Sequence, residues 1–170
     1  MLTLLNGKKE GITNFFSKDG TLLSAITYKN DEITGNVTQY YPNGSKHSVM
    51  EYSSGVPDGR FTSFFENGIE QVVSGYKDGK MNGKFRVFDE FGDISMECVY
   101  QNGQKHGKNL VYYQKSQGGE VYELSFFENG LLEGEKISFY PTGEMMSVVL
   151  YVNGRAQTYP KNYSKSGALI

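Results

Sequence analysis

The sequence predicts an all-β fold: an elongated, single-layer antiparallel sheet, a meander of about seven β-hairpin repeats of ~24 residues each. Three observations predict it. An aromatic or aliphatic column, Leu4, Tyr28, Tyr52, Tyr76, Tyr100, Phe127 and Tyr151, recurs at intervals of 24 residues, with one interval of 27. Glycine recurs in step with it, and three columns account for 19 of the 21 glycines. Between the glycines lie segments too short for helices, rich in aromatic and β-branched residues, some alternating with period two.

The repeats run near 4–27, 28–51, 52–75, 76–99, 100–126 and 127–150, with a partial, capping unit at 151–170. One array, 1–170, is the expected organisation, each unit contacting mainly its neighbours. The first glycine column is Gly7, Gly55, Gly79, Gly103, Gly130 and Gly154, with Asp31 in the second unit. The second is Gly11, Gly35, Gly59, Gly83, Gly107 and Gly134, with Thr158 in the last. The third is Gly20, Gly44, Gly68, Gly92, Gly119, Gly143 and Gly167, and a three-residue insertion near 115–118 explains the longer interval. Gly75 and Gly118 stand outside the columns.

Each unit reads as one hairpin. Asn-Gly and Asp-Gly steps are strong hairpin signals. One set of turns is Asp19-Gly20, Asn43-Gly44, Asn67-Gly68 and Thr142-Gly143. The other opens on the first glycine column and is expected to continue to the second. First strands are then predicted at 36–41, 60–65, 84–88 and 136–140, and second strands at 22–28, 71–76, 94–100 and 145–151. Isolated hairpins are marginal in water, so neighbours must stack to bury the aromatic columns. With 13 Tyr and 11 Phe, the rings are expected to supply most of the burial.

The consensus, aromatic-x-[Asn/Asp]-Gly-x-x-x-Gly followed by an aromatic pair and a third Gly, resembles the MORN repeat, and more closely its bacterial variant. Tyr76 to Gly83 (Tyr-Lys-Asp-Gly-Lys-Met-Asn-Gly) and Tyr100 to Gly107 (Tyr-Gln-Asn-Gly-Gln-Lys-His-Gly) carry its first half. Tyr40 to Gly44, Phe64 to Gly68 and Phe139 to Gly143 carry its second. The resemblance implies an elongated sheet of hairpins. It also implies functions known for such proteins: antitoxins of the YwqK family in bacteria, and phospholipid binding or scaffolding elsewhere. The chain departs from the pattern at Asp31, Asp89 and Thr158, and it has no Trp where Phe61 and Phe85 stand.

Composition narrows the classes. Net charge is −2, with Lys and Arg dispersed, which argues against nucleic acid, where affinity rests on phosphate neutralisation. It also argues against simple adsorption to anionic lipid, which needs clusters of about 4–8 basic residues. Mean hydropathy is −0.49 and no 18-residue apolar span exists. The first five residues are too short for a signal-peptide apolar region. The expected location is cytoplasmic, or secreted or at the cell surface if a leader precedes these residues.

No catalytic or metal constellation is legible, and no enzyme activity or cofactor is expected. His47 and His106 fall in different columns about two and a half repeats apart. Glu10, Asp31, Asp58, Asp78 and Glu133 crowd the turns, but calcium needs six to eight oxygens on a shaped loop. Cys98 sits in an alternating strand and reads as an inert buried thiol. The remaining candidates are the aromatic pairs Tyr40-Tyr41, Phe64-Phe65, Tyr112-Tyr113 and Phe139-Tyr140, in which adjacent residues face opposite sides of a strand. These eight are the expected contacts for a protein partner, with scaffolding or antitoxin-like sequestration as the expected role. A secreted or surface-attached adhesion or spacer module, and peripheral phospholipid binding, are the alternatives. The N-terminal edge near 2–5 lacks the protection that Pro160 gives the other end, so weak edge-to-edge homodimerisation is expected.

Overall fold

The computed structural model describes residues 4–170. It is an all-β, antiparallel meander, with only one 3₁₀ turn, Lys115–Gln117, as helical structure among the described residues. In chain order the strands are β1 Leu4–Leu5, β2 Lys8–Lys9, β3 Gly11–Phe16, β4 Leu22–Lys29, β5 Glu32–Tyr40 and β6 Lys46–Ser53. They continue as β7 Val56–Phe64, β8 Glu70–Lys77, β9 Lys80–Phe88, β10 Ile94–Gln101, β11 Gln104–Tyr112 and β12 Val121–Glu128. The last are β13 Leu131–Leu132, β14 Gly134–Phe139, β15 Met145–Val152, β16 Arg155–Ala156 and β17 Lys161–Asn162. Contacts group into two compact units: residues through Asn82 with Glu90–Gly92, and Gly83–Asp89 with Asp93–Ile170. In the first unit β3 to β8 pair in chain order; in the second, β9 to β12, then β14 and β15, do the same.

Two turn types alternate, each set by its residues. The first is a two-residue hairpin with both central residues at positive φ, such as Asp78 (φ 49°) and Gly79 (φ 77°), or Asn102 (φ 52°) and Gly103 (φ 85°). That is the turn whose twist matches the strands, and Asn, Asp and Gly tolerate it best. Asn30 and Asp31 adopt it without glycine, at φ 50° and 71°. The second is a three-residue loop. Gly44 N–H donates to the Tyr41 carbonyl (2.9 Å), Tyr41 N–H donates to the Ser45 carbonyl (2.8 Å), and Gly44 sits at φ 84°. Phe65 to Ile69 and Tyr140 to Glu144 repeat it. Pro42 and Pro141 follow the first residue of the turn, where a fixed φ is already suitable.

These turns correct the strand boundaries expected above. The turn after the first glycine column is two residues long and does not reach the second column, so β5, β7, β9 and β11 start at residues 32, 56, 80 and 104. All the second-column glycines fall in strands, and Gly35, Gly59 and Gly107 lie inside them at bulges. Met50 faces Phe61 and Tyr52 faces Pro57, so Glu51 alone spans Asp58, Gly59 and Arg60. Val99 likewise spans His106, Gly107 and Lys108. Gly107, at φ 74°, has open space where a Cβ would go. Its requirement is conformational, because a bulge residue in the left-handed region favours glycine. Opposite each of these glycines lies the ring of the aromatic column: Gly11–Tyr28, Gly35–Tyr52 and Gly59–Tyr76 in the first unit, Gly83–Tyr100, Gly107–Phe127 and Gly134–Tyr151 in the second. Ring and glycine recur together because the ring lies over a strand position that has no side chain.

Burial also differs from the expectation. The most buried residues are small: Ser125 (1% exposed), Ser74, Asn109, Cys98 and Thr13. Cys98 is the only apolar residue among the fully buried ones described. The repeat rings themselves are mostly half-buried. Within each unit no second sheet or helix covers either face, so a large ring cannot be enclosed; it covers its small neighbours instead. Directly opposed residues share a face. Phe61 opposes Ser74, and Phe85 opposes Cys98. Tyr28, Tyr52 and Tyr76 in the first unit, and Tyr100 and Phe127 in the second, lie two positions or more along the same face, which we term the ring face.

The C-terminal edge is covered by the chain itself. β15 pairs with both β16 and β17, and the break between them holds Thr158 and Pro160. Thr158 Oγ1 accepts the Leu150 N–H (3.2 Å), and a Tyr163–Leu169 bridge closes a further turn. At the other end β3 is the last strand of its sheet, and β1 and β2 form a separate ladder. Of the expected N-terminal edge, Leu2 and Thr3 lie outside the described residues, and Leu4–Leu5 pair with Lys8–Lys9. The insertion falls where expected: Lys115–Gln117 turns once and Gly118, at φ 112°, ends it.

Candidate interaction surface

The aromatic pairs sit where strand meets loop. Tyr40, Phe64, Tyr112 and Phe139 end β5, β7, β11 and β14, while Tyr41, Phe65, Tyr113 and Tyr140 open the loops. The pair therefore does not present two successive strand residues, as the sequence suggested; its second ring belongs to the turn. All eight are half-buried. Three second members bond to the next hairpin. Tyr41 Oη donates to the Phe64 carbonyl (2.7 Å), Tyr113 Oη to Phe139 (2.9 Å) and Tyr140 Oη to Tyr163 (2.9 Å). Tyr112 Oη donates to Glu97 Oε1 (3.0 Å), and burial together with that carboxylate pushes the phenol pKa up. Tyr113 packs edge-on against Tyr122, with centroids 5.1 Å apart, and Tyr41 does so against His47 at 4.7 Å.

On the opposite edge, the two-residue turns are pinned one repeat back. Gly55 N–H donates to Ile33 O, Gly79 N–H to Pro57 O, Gly130 N–H to Lys105 O and Gly154 N–H to Leu132 O, all at 2.8–2.9 Å. Carboxylates reinforce this lock. Glu10 accepts the Asn30 N–H (3.0 Å), Asp58 the Asp78 N–H (3.2 Å) and Glu133 the Asn153 N–H (2.7 Å). Asp31 accepts the Lys9 N–H (2.7 Å) and donates its own N–H to the Lys9 carbonyl. Four of the five acids that suggested calcium from sequence thus hold backbone amides. The signal was available: Glu10, Asp58 and Glu133 each stand one place before a second-column glycine and 20 residues before the amide they hold.

Among the described residues no three His, Cys, Asp or Glu side chains gather as metal ligands. His106 shares the column of Glu10, Asp58 and Glu133, and its Nδ1 is buried with no hydrogen-bond partner. Burial raises the Cys98 thiol pKa, opposed by the Lys105 charge. Lys105 Nζ lies 5.0 Å from the Phe127 ring centre and 3.3 Å from Asn109 Oδ1, and Asn109 in turn donates to Ser125 Oγ (3.1 Å). No helix is long and apolar enough to cross a membrane, which leaves strand-built membrane structures unaddressed.

Comparison with known families agrees with this geometry. The MORN repeat variant matches residues 9–30, 33–53 and 132–153. Each match starts next to one two-residue turn and ends on or beside the next, so it contains one hairpin: β3–β4, β5–β6 or β14–β15. The hairpins between them, at β7–β8, β9–β10 and β11–β12, carry the same ring–glycine opposition. Repeats of this kind are non-enzymatic modules that commonly bind proteins or lipids. No curated protein matches the chain.

Proposed function

We propose that the chain is a non-enzymatic protein-binding module, acting as a scaffold or, in antitoxin fashion, by sequestering a protein partner. One observation carries the reading. The loop acids and several tyrosine hydroxyls hold one hairpin to the next, while large apolar side chains stand exposed on sheet faces that no second layer covers, among them Ile12 (62%), Phe126 (42%) and Leu150 (39%). Uncovered apolar surface suits an interaction site, and half-buried Tyr and Phe suit protein contacts. Tyr40, Phe64, Tyr112 and Phe139 lead the contacts, since Tyr41, Tyr113 and Tyr140 also carry hydroxyl bonds between hairpins. A second copy pairing along β3, the last strand of its sheet, is the proposed route to weak self-association.

The test is affinity capture from the native cell with the tagged chain and with a Tyr40→Ser/Phe64→Ser/Phe139→Ser variant whose circular dichroism matches wild type. A stoichiometric protein captured by wild type and lost from the variant supports the proposal. Capture of no protein, with retention on anionic vesicles or on the cell surface, would replace it with the lipid or adhesion alternative.

A further inference from the structure

The face opposite the rings differs between the two units although the hairpins do not. In the first unit its central row is Ala25, Thr38, Val49, Thr62 and Val73, each opposed to the next. In the second unit Glu97 is followed by Leu110, Leu124, Ile137 and Val148, again directly opposed. Since Ala and Thr serve at this column in the first unit, the sheet itself does not require Leu and Ile there. No layer covers them within their unit.

Two shallow depressions lie on this apolar row. One, of about 180 Å³, is lined by Lys84, Val99, Lys108 and Leu110 among others; the other, of about 210 Å³, by Lys108, Leu110, Leu124 and Phe139 among others. They share Lys108 and Leu110. Three ion pairs form on the unit: Arg86 with Glu97 (3.5 Å), Lys136 with Glu123 (2.9 Å) and Lys115 with Asp93 (3.2 Å). Lys84 and Lys108 are exposed, and among the described residues neither forms an ion pair. Two unpaired ammonium groups therefore flank an uncovered aliphatic row. That charge pattern calls for carboxylates from the occupant. Lys84 is on β9 and Lys108 on β11, two strand spacings or ~10 Å apart. In an extended chain rising ~3.3 Å per residue, side chains alternate between faces, so carboxylates four positions apart share one face and lie ~13 Å apart, within reach of two flexible lysine side chains, while the residue midway between them faces the aliphatic row.

We infer that the open face of the second unit docks an extended acidic–aliphatic segment of a protein partner, with its carboxylates on Lys84 and Lys108 and its aliphatic side chains on Leu110 and Leu124. This rests on the protein-binding reading and adds where the partner sits and what its segment contains. A phospholipid surface fits less well. Two basic residues fall short of the ~4–8 needed for stable electrostatic attachment to a membrane.

The probe is a fluorescein-labelled peptide with a Glu-Ser-Leu-Ser-Glu core, whose Glu, Leu and Glu share one face when extended, compared with its Lys-Ser-Leu-Ser-Lys counterpart, in low salt and at physiological salt, with amide chemical-shift mapping. The glutamate peptide is expected to bind wild type, with shifts clustered at Leu110 and Leu124. Binding should weaken at least tenfold in Lys84→Glu/Lys108→Glu, and that variant should acquire binding to the lysine peptide. Both positions are solvent-facing, so the variant should fold; Lys84→Gln/Lys108→Gln serves as a second, milder test with an intermediate loss. No binding of the glutamate peptide, or binding unchanged within twofold in the reversed variant, overturns the assignment. So does charge-dependent retention on phosphatidylserine vesicles without peptide binding. If a native partner is captured equally by wild type and by the reversed variant, this site is wrong while the protein-binding reading stands.

Discussion

Gly75 gives a sharp test of strand packing, because the sign of its alanine effect depends on one contact. It lies in the middle of β8 opposite Arg60, at ordinary φ. Thr27, Glu51 and Val99 occupy the same column and carry side chains. On propensity alone Gly75→Ala should therefore stabilise the strand by ~0.5–1 kcal/mol. However, a Cβ placed on Gly75 overlaps the carbonyl oxygen of Asn82 and stands 3.6 Å from its carbonyl carbon. The obstacle is backbone, so no flexible side chain can swing away. An ordinary carbon–oxygen contact is ~3.3 Å or longer, and restoring it means displacing the β9 backbone at Asn82. Overpacking of this kind costs ~1–3 kcal/mol, which exceeds the propensity gain. Net of that gain the loss reaches up to ~2.5 kcal/mol, which for a chain of 170 residues is a fall in Tm of up to roughly 10 °C, at ~2–4 °C per kcal/mol. Because a repeat array can unfold in parts, the melt should be paired with amide exchange, where protection is lost first around 72–84. A raised Tm with unchanged exchange would refute the contact.

Tyr113→Phe removes the hydroxyl bond to Phe139 and should cost ~0.5–1.5 kcal/mol, read by urea unfolding; Phe65, which has no hydroxyl, is the internal precedent that the ring alone is tolerated. Tyr112 has a phenol pKa raised above the unfolded value of ~10. The folded state thus holds its proton more tightly, so this contribution is intact below pH 10 and is lost as pH rises through the folded pKa. Wild type should lose stability more steeply above pH 10 than Tyr112→Phe, and parallel curves would contradict the burial and Glu97 contact. Cys98, 5% exposed, should resist a water-soluble thiol reagent at pH 8 until urea unfolds the sheet. Ile12→Lys, on the open edge strand β3, should abolish concentration-dependent self-association in sedimentation without lowering Tm; unchanged self-association would place the contact elsewhere.

Much of the fold was legible because its grammar is local. Asn-Gly and Pro-Asn-Gly fix turn type through φ alone, and a 24-residue period fixes the order of hairpins. The insertion at Lys115–Gln117 was visible as a break in that period. What local grammar could not supply was the role of the second-column glycines. Gly59 and Gly107 read as turn residues, but they lie in strands, at bulges whose existence depends on the partner strand. The nature of the core was missed for a similar reason. Counting rings says how much apolar area exists, not whether a second layer is present to enclose it, and so Ser74 and Ser125 are buried while Tyr76 and Phe127 are half-exposed. The charged turn residues looked like ligands because a sequence shows Glu10 and Asp58 near one another in pattern, but not the Asn30 and Asp78 amides that each one holds. Of the aromatic pairs, the hydroxyl bonds of Tyr41, Tyr113 and Tyr140 depend on where the next repeat's carbonyl falls, which spacing alone does not give.

The account depends on each two-residue turn being fastened to the hairpin one repeat earlier. Scalar couplings transmitted through hydrogen bonds report that fastening directly, from the Gly79 amide to the Pro57 carbonyl in the first unit and from the Gly154 amide to the Leu132 carbonyl in the second. Resolved couplings at both, with slow exchange of both amides, are the predicted result. Absent couplings with solvent-rate exchange at both would show hairpins strung side by side without the lock, and the binding ladder built on it would fall.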